Sequence, residues 1–393
     1  MHRKKLKRAL TMVMLATTVV VLFACQKGNG SGDVAPVVGG DTTDNGSGQT
    51  TKLNFIFSGG SDGYSCFRIP AILRTEKGTL LAFAEARKND CGDAGNIDLV
   101  VRRSLDNGKT WSGLITVWDD GSNTCGNPVP IMDTRTHKVV LVMSWNLGSD
   151  NLTTIGNGTS TDTRRAYVTS SSDDGLTWGK PREITDSVKQ KNWGWFASGP
   201  CHGIQLSGGS HAGRLIVPCD YTELLTKKGS SYSIYSDDDG DSWHMGGIVS
   251  GGGNECSVAE LSDGTLMLNQ RSSKGYRLVS TSKDQGMSWT AATASYYLPG
   301  PGCQGSLLSY ASSGKTWVYF SNPANRNART SMTLKRSPDD GGTWPDIHQV
   351  YSGPSAYSDL VMIDDGHIGI LYEAGLSGPY EGIVFENIPV TDL

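Results

Sequence analysis

Five aspartates share one setting, and their carboxylates are the first candidates for chemistry in this chain. Each is the third residue of Ser-x-Asp-x-Gly-x-Thr/Ser-Trp, found at Ser104–Trp111, Ser171–Trp178, Ser236–Trp243, Ser282–Trp289 and Ser337–Trp344. Asp106, Asp173, Asp238, Asp284 and Asp339 are metal-ligand types, but the setting argues against a metal. Asp folds back on its own backbone, Gly supplies a positive φ, and the carboxylate is consumed by its own turn. Beyond Cys25 there are seven cysteines, Cys66, Cys91, Cys125, Cys201, Cys219, Cys256 and Cys303, an odd number with no zinc-ligand spacing. Export would permit a disulfide, at least one thiol stays unpaired in a monomer, and most of the seven read as small buried hydrophobes. The stretch Lys88-Asn-Asp-Cys-Gly-Asp-Ala-Gly-Asn96 sets Asp90 and Asp93 on a Gly-rich segment that reads as an irregular, mobile loop.

The elements that must position such residues are strands. Each octapeptide follows a β-rich run, such as Ile97–Arg103 or Tyr276–Thr281, and reads as a hairpin turn with its Trp packed beneath. Six apolar runs accompany them, at Gly78–Phe83, Lys138–Val142, Gly213–Val217, Gly264–Leu268, Lys315–Phe320 and Gly366–Leu371. Short continuous apolar runs fit strands buried on both faces. The first five each precede one octapeptide; the sixth is followed only by Gly382–Phe385 and the C-terminus. Repeats on this scale signal a propeller or solenoid. The expectation is an all-β, six-bladed β-propeller of about 57 residues per blade. Leu53–Phe57 would complete the last blade and close the ring, removing the exposed edge.

The folded body is expected over 52–393. Ahead of it, His2–Arg8 is basic, Ala9–Ala24 is apolar, and Leu22-Phe23-Ala24-Cys25 resembles a bacterial lipobox. Residues 1–25 therefore read as a lipoprotein-type signal peptide, with Cys25 the lipid-bearing residue after cleavage. Residues 26–51 are rich in Gly, Ser, Thr, Asp and Asn and read as a flexible linker from a membrane anchor. The protein would be an exported lipoprotein of the cell envelope. A net charge of −4 with 19% charged residues, and no basic stripe, gives no sign of a nucleic-acid partner.

Near the start of the body lies Tyr64-Ser-Cys-Phe-Arg-Ile-Pro70. Phe-Arg-Ile-Pro followed by five Asp-box octapeptides resembles the bacterial exo-sialidases (neuraminidases) of the Asp-box, or BNR-repeat, family. The resemblance extends from about Asn54 to the end, and its family fold is a six-bladed propeller. It implies hydrolysis of terminal sialic acid from glycoproteins, glycolipids or oligosaccharides, with no cofactor and no metal, by a monomer.

The resemblance also assigns residues. A sialoside carries a carboxylate at its anomeric carbon, and planar, permanently charged Arg binds a carboxylate in bidentate fashion. The matching positions are Arg68, Arg271 in Leu268-Asn-Gln-Arg271, and Arg329 in Asn327-Ala-Arg-Thr330, with Arg326 and Arg336 as rivals to the last. Glu373 in Leu371-Tyr-Glu373 would orient the first Arg. Ala356-Tyr-Ser-Asp-Leu360 matches the nucleophile segment and selects Tyr357 over Tyr351 and Tyr372. A neutral phenol avoids the repulsion that a carboxylate nucleophile would meet at this carbon. Free Tyr titrates near 10, so it needs a base. Glu255 in Gly253-Asn-Glu-Cys-Ser-Val258 matches that partner, while Glu260 reads as turn structure. Asp93 fits the offset of the acid/base, with Asp90 as runner-up. Arg87 would contact the sugar's hydroxyl face and Asn127 would line the pocket; His202 is read as structural. A silent glycan-binding propeller needs the arginines but not the Tyr–Glu pair, and a trans-sialidase would keep all of it and change the acceptor.

Overall fold

A computed structural model describes residues 53–393; the lipobox, Cys25 and the linker lie outside the described residues. The described chain is almost entirely strand. β1 (Phe55–Ser58) is followed by β2 (Cys66–Arg74), β3 (Leu80–Arg87), β4 (Ile97–Ser104) and β5 (Ile115–Trp118), the last four an antiparallel meander. β6 (Thr124–Asp133), β7 (Lys138–Asn146), β8 (Arg165–Ser171) and β9 (Arg182–Glu183) repeat the pattern. A single parallel bridge, Ile97 to Thr124, joins these eight into one sheet. β10 (Trp193–Ser198), β11 (Ile204–Gln205), β12 (Leu215–Glu223), β13 (Gly229–Ser236) and β14 (His244–Ile248) form a second sheet, in which β10 and β11 both pair with β12. β15 (Cys256–Glu260), β16 (Leu266–Gln270), β17 (Tyr276–Ser282) and β18 (Thr293–Pro299) form a third. β19 (Ser306–Ser312), β20 (Lys315–Pro323), β21 (Thr330–Ser337), β22 (Asp346–Asp364), β23 (His367–Ala374) and β24 (Gly382–Pro389) form the fourth, completed by β1.

The six apolar runs become β3, β7, β12, β16, β20 and β23, each the second strand of its meander. β3 is buried at every position, as a continuous apolar run requires. β22 does two jobs with 19 residues. Its first part alternates between half-buried and exposed residues and pairs with β21; from Ser355 to Ile363 it is buried throughout and pairs with β23. β1 pairs antiparallel with β24, so the first and last strands of the described chain share one sheet. The buried side chains interdigitate between neighbouring sheets, as where Val129 and Ile131 of β6 meet Trp193 and Val217 of the next sheet.

All five octapeptides link the third to the fourth strand of a meander. In the first, Ser104 Oγ donates to Asp106 Oδ1 (2.8 Å), Gly108 N–H donates to Ser104 Oγ (2.8 Å), and Thr110 returns both its N–H (2.9 Å) and its hydroxyl (2.6 Å) to Asp106. The other four repeat these bonds. The residue before each Gly, Asn107 in the first copy, also adopts positive φ, which explains the Asn or Asp found there in four of the five copies. The Trp reaches a neighbouring strand: Trp178 lies edge-on to Phe83 of β3 at 5.6 Å, and Trp111 to Phe385 of β24 at 5.3 Å.

Of the seven cysteines, Cys66 and Cys91 form a disulfide, and the other five are free and buried.

Candidate active site

Tyr357 lies in the buried part of β22 and is 6% exposed. Its hydroxyl donates to Glu255 Oε1 at 2.5 Å. Glu255 is the residue before β15, so the end of one sheet meets the middle of another. Arg271, one residue past β16, donates from Nη1 to Glu255 Oε2 (2.6 Å) and to Tyr357 Oη (3.0 Å). Its backbone N–H donates to the carbonyl of Glu255, so the adjoining strands fix the pair at the backbone as well. The Arg68 guanidinium sits 5.2 Å from the centre of the Tyr357 ring and that of Arg329 at 5.6 Å. Three cations, one on β2, one just past β16 and one just before β21, thus surround one phenol. Burial pushes the Tyr357 phenol well above its usual value, and Glu255 adds to this, against the pull of Arg271 and Arg68. The hydroxyl therefore keeps its proton at rest and presents it to Glu255.

Glu373, wholly buried on β23, holds the other side. Its two oxygens accept the Arg68 fork (Nε 3.1 Å, Nη2 3.2 Å), the N–H of Ile69 (2.8 Å) and the N–H of Tyr357 (3.2 Å). A buried carboxylate is tolerated because every lone pair is used. It also holds a bulge. The β2–β3 register shifts between Arg68 and Ala71, and Ile69 has φ 59, a strained conformation for a β-branched residue.

Asp93 projects from the loop between β3 and β4 with 72% of its side chain exposed. Its Oδ1 accepts from Arg87 Nη1 (2.8 Å) and Arg68 Nη1 (3.3 Å). Burial would raise its proton affinity, but Arg87 and Arg68 outweigh it and hold the carboxyl below the usual range. The loop is irregular, as its glycines predict, but it is fastened rather than loose. The disulfide to Cys66 ties it down, and Arg87 Nη1 also donates to the carbonyls of Cys91 and Gly92.

The rival residues lie elsewhere. Asp90 caps its own loop through Gly92 N–H (2.6 Å). Glu260 stands at the far end of β15 from Glu255 and accepts from Ser207 N–H. Arg326 is exposed, and Arg336 pairs with Asp346 at 2.7 Å. Tyr351 donates to the Gly375 carbonyl and Tyr372 to Glu386. His202 is buried on Asp359, which also accepts from Ile72 N–H and Ser306 Oγ.

Arg87 and Asn127 both lie buried beside the cluster. Arg87 is 2% exposed, held by Glu85 through Nε and Nη2 and by the loop through Nη1. Asn127 is likewise buried, its Oδ1 taken by Arg164, its Nδ2 by the Ser198 carbonyl and its N–H by Glu85. The sequence reading missed the partners that hold them. Glu85 carried a signal, a charge inside the buried run Leu80–Arg87, and Gly126 leaves it room, since a Cβ there would lie 2.1 Å from Glu85 Oε1. Arg164 carried none; burial lowers its guanidinium to about 10, and it stacks 4.2 Å from Trp195. Tyr380 carried none either. It lies 4.1 Å beneath Arg68 and accepts at its hydroxyl from Arg329 Nη1 (2.6 Å), bridging two of the three cations.

A cavity of about 520 Å³ borders the cluster, lined by Gly251–Asn254, Arg271, Lys274 and Gly302. Another of about 900 Å³, lined by His202, Gln205 and Glu260 among apolar side chains, contains none of the candidate residues.

An all-β repeat fold with three arginines and two carboxylates around one tyrosine is the setting in which the comparisons with known proteins fall. The model of the BNR repeat-like domain matches residues 78–370. A sialidase of Bacteroides fragilis is 34% identical over 85% of this chain, which spans 64% of that protein's length, under two thirds. An exo-alpha-sialidase of Arthroderma benhamiae is 33% identical, covering 79% of each. Among solved structures, a Hadza microbial sialidase superposes with a TM-score of 0.78 at 29% identity over 87% of this chain and 69% of that one. The chain belongs to the BNR-repeat sialidase family.

Proposed function

We propose that this protein is an exo-α-sialidase that hydrolyses terminal, α-linked sialic acids of glycoproteins, glycolipids or oligosaccharides with retention of configuration. The observation that carries the reading is the hydrogen bond of 2.5 Å from Tyr357 to Glu255 within reach of three guanidiniums. Names of relatives and a solved structure support it. The substrate carboxylate would be gripped by Arg68, Arg271 and Arg329, with Glu373 holding Arg68 in pose.

Tyr357 Oη then attacks the anomeric carbon while Glu255 takes its proton, so that charge develops on the nucleophile only as the bond forms. Asp93 protonates the departing glycosidic oxygen, then removes a proton from the water that cleaves the tyrosyl intermediate. At rest Asp93 is an ion-paired carboxylate, which is the wrong form for an acid. A bound sialoside supplies the remedy: its carboxylate claims Arg68, withdraws part of the countercharge and brings an anion close, and both changes raise Asp93's affinity for a proton.

The scaffold reading is six blades around a ring. It is supported by six second-strand apolar runs, five equivalent octapeptide turns and the pairing of β1 with β24. The leader supports export and lipid attachment at Cys25 to the cell envelope. Incubation with sialyllactose tests the activity: free sialic acid should appear, with the α-anomer first by NMR. A bound but uncleaved sugar would favour a glycan-binding role, and the β-anomer first would refute the tyrosyl intermediate.

A further inference from the structure

The disulfide joins the two elements that carry the carboxylate clamp and the acid. Cys66 is two residues before Arg68, and Cys91 is two residues before Asp93. Arg68 Nη1 and Asp93 Oδ1 touch across that link at 3.3 Å. The loop's flanks are held independently, by Ser65 Oγ on the Lys88 carbonyl (2.9 Å) and by Thr124 Oγ1 on the Gly95 carbonyl (2.9 Å). Its tip is different. Residues 88–93 are exposed, and the noncovalent holds on the tip are the long Arg68 bond and Arg87 Nη1, which carries two protons and faces three acceptors, the carbonyls of Cys91 and Gly92 and the Asp93 carboxylate. Hydrogen bonds shared in this way cannot all be strong. Beside these weak holds the covalent link is in place to set where Asp93 stands.

We propose that Cys66 and Cys91 are positioning residues for Asp93: their disulfide fixes the carboxylate against Arg68 and at the leaving oxygen, so that proton delivery depends on the bond while fold and sugar binding do not. The inference rests on the sialidase reading above. It has a chemical consequence. A misplaced acid slows substrates whose leaving group needs a proton and spares those whose leaving group departs unaided. A displacement of about 1 Å is enough to cost on the order of 100-fold in a positioned step. Cys91 is exposed, so a reductant can reach this bond.

The full-length protein would be assayed oxidised, after dithiothreitol, which supplies the two electrons and two protons that open the bond, and as a Cys66→Ser/Cys91→Ser double variant. Each form would be given sialyllactose and an aryl sialoside with a good leaving group. The expected result is a fall in kcat on sialyllactose of about ten-fold or more, a change under about two-fold on the aryl substrate, unchanged KM on both and little change in Tm. Should the double variant fail to fold, the reduced wild type carries the test. Equal losses on the two substrates, or none on either, would overturn the proposal. So would non-reducing peptide mapping that finds Cys66 and Cys91 as free thiols. An oxidised wild type inactive on both substrates would instead sink the sialidase reading, and this inference with it.

Discussion

The octapeptide turns and the Tyr357 cluster both rest on hydrogen-bonded carboxylates, yet they are built in opposite ways. Asp106 finds its partners two to four residues away, in an exposed turn. Glu373 finds Arg68 across 305 residues and Glu255 finds Tyr357 across 102, at sites buried under neighbouring sheets. The turn Asp is held low, to about 2 at Asp106, by the Thr110 hydroxyl and amide and the Ser104 hydroxyl, with little burial to oppose them. The Tyr357 phenol is held high, chiefly by burial. A local motif satisfies its charge with its own backbone and can be copied five times. A site needs groups that no single segment can hold, and the fold must supply each from a different strand.

If that contrast is right, substitutions in the two regions should separate activity from stability. Tyr357→Phe removes only the hydroxyl, and turnover of an aryl sialoside should fall by about three orders of magnitude or more with Tm nearly unchanged. Turnover within a few-fold of wild type would remove Tyr357 as nucleophile. Glu373→Ala strands a buried guanidinium and two buried N–H groups, so urea unfolding should show a loss of about 3–5 kcal/mol together with lost activity. A fully stable but inactive variant would mean that Arg68 finds another partner.

Asp93→Ala should cost about 100-fold on sialyllactose and much less on the aryl substrate, without loss of stability. Equal losses would return the acid role to Asp90 or assign Asp93 a purely structural one. Asp173→Ala is the converse case. Loss of one turn carboxylate should lower stability by about 1 kcal/mol and leave kcat/KM unchanged; a large loss of activity would show that the turns reach the site.

The same turns predict a pH effect. At Asp173 burial is the largest single influence and pushes upward, but the Thr177 hydroxyl and amide and the Ser171 hydroxyl together outweigh it and leave the carboxyl at about 2. Its folded value lies below the unfolded one near 3.9, so its contribution is complete above about pH 4 and is lost as pH falls toward 2. Thermal unfolding at pH 5, 3 and 2 should show that acid limb. Asp173→Asn should make it shallower, and an unchanged slope would assign acid sensitivity to other carboxylates.

The contrast also explains what could be read in advance. The octapeptides, the six apolar runs and the strand type were legible because each is a short-range pattern: turn chemistry within eight residues, or burial of a continuous strand. Arg68, Tyr357 and Glu255 were reached through motifs that resemble a family, not through any spacing that links them. Glu85 offered a weak signal as a charge in a buried run. Arg164 and Tyr380 offered none, since neither lies in a pattern and their partners are far away in the chain. That Arg87 is buried against Glu85 and Asn127 against Arg164 was not legible, because what packs behind a bulge or strand end is decided by the fold.

The sequence by itself determined the all-β class, the turns that join third strands to fourth, and the family, because these follow from local backbone preference, periodicity and motif. Only the tertiary structure decided that three cations meet around one phenol, that Glu373 binds Arg68 and the Tyr357 backbone together, and that a disulfide ties the Asp93 loop to the strand of Arg68. Those facts are distances between residues remote in the chain, and they exist only once the strands have been paired and the sheets packed.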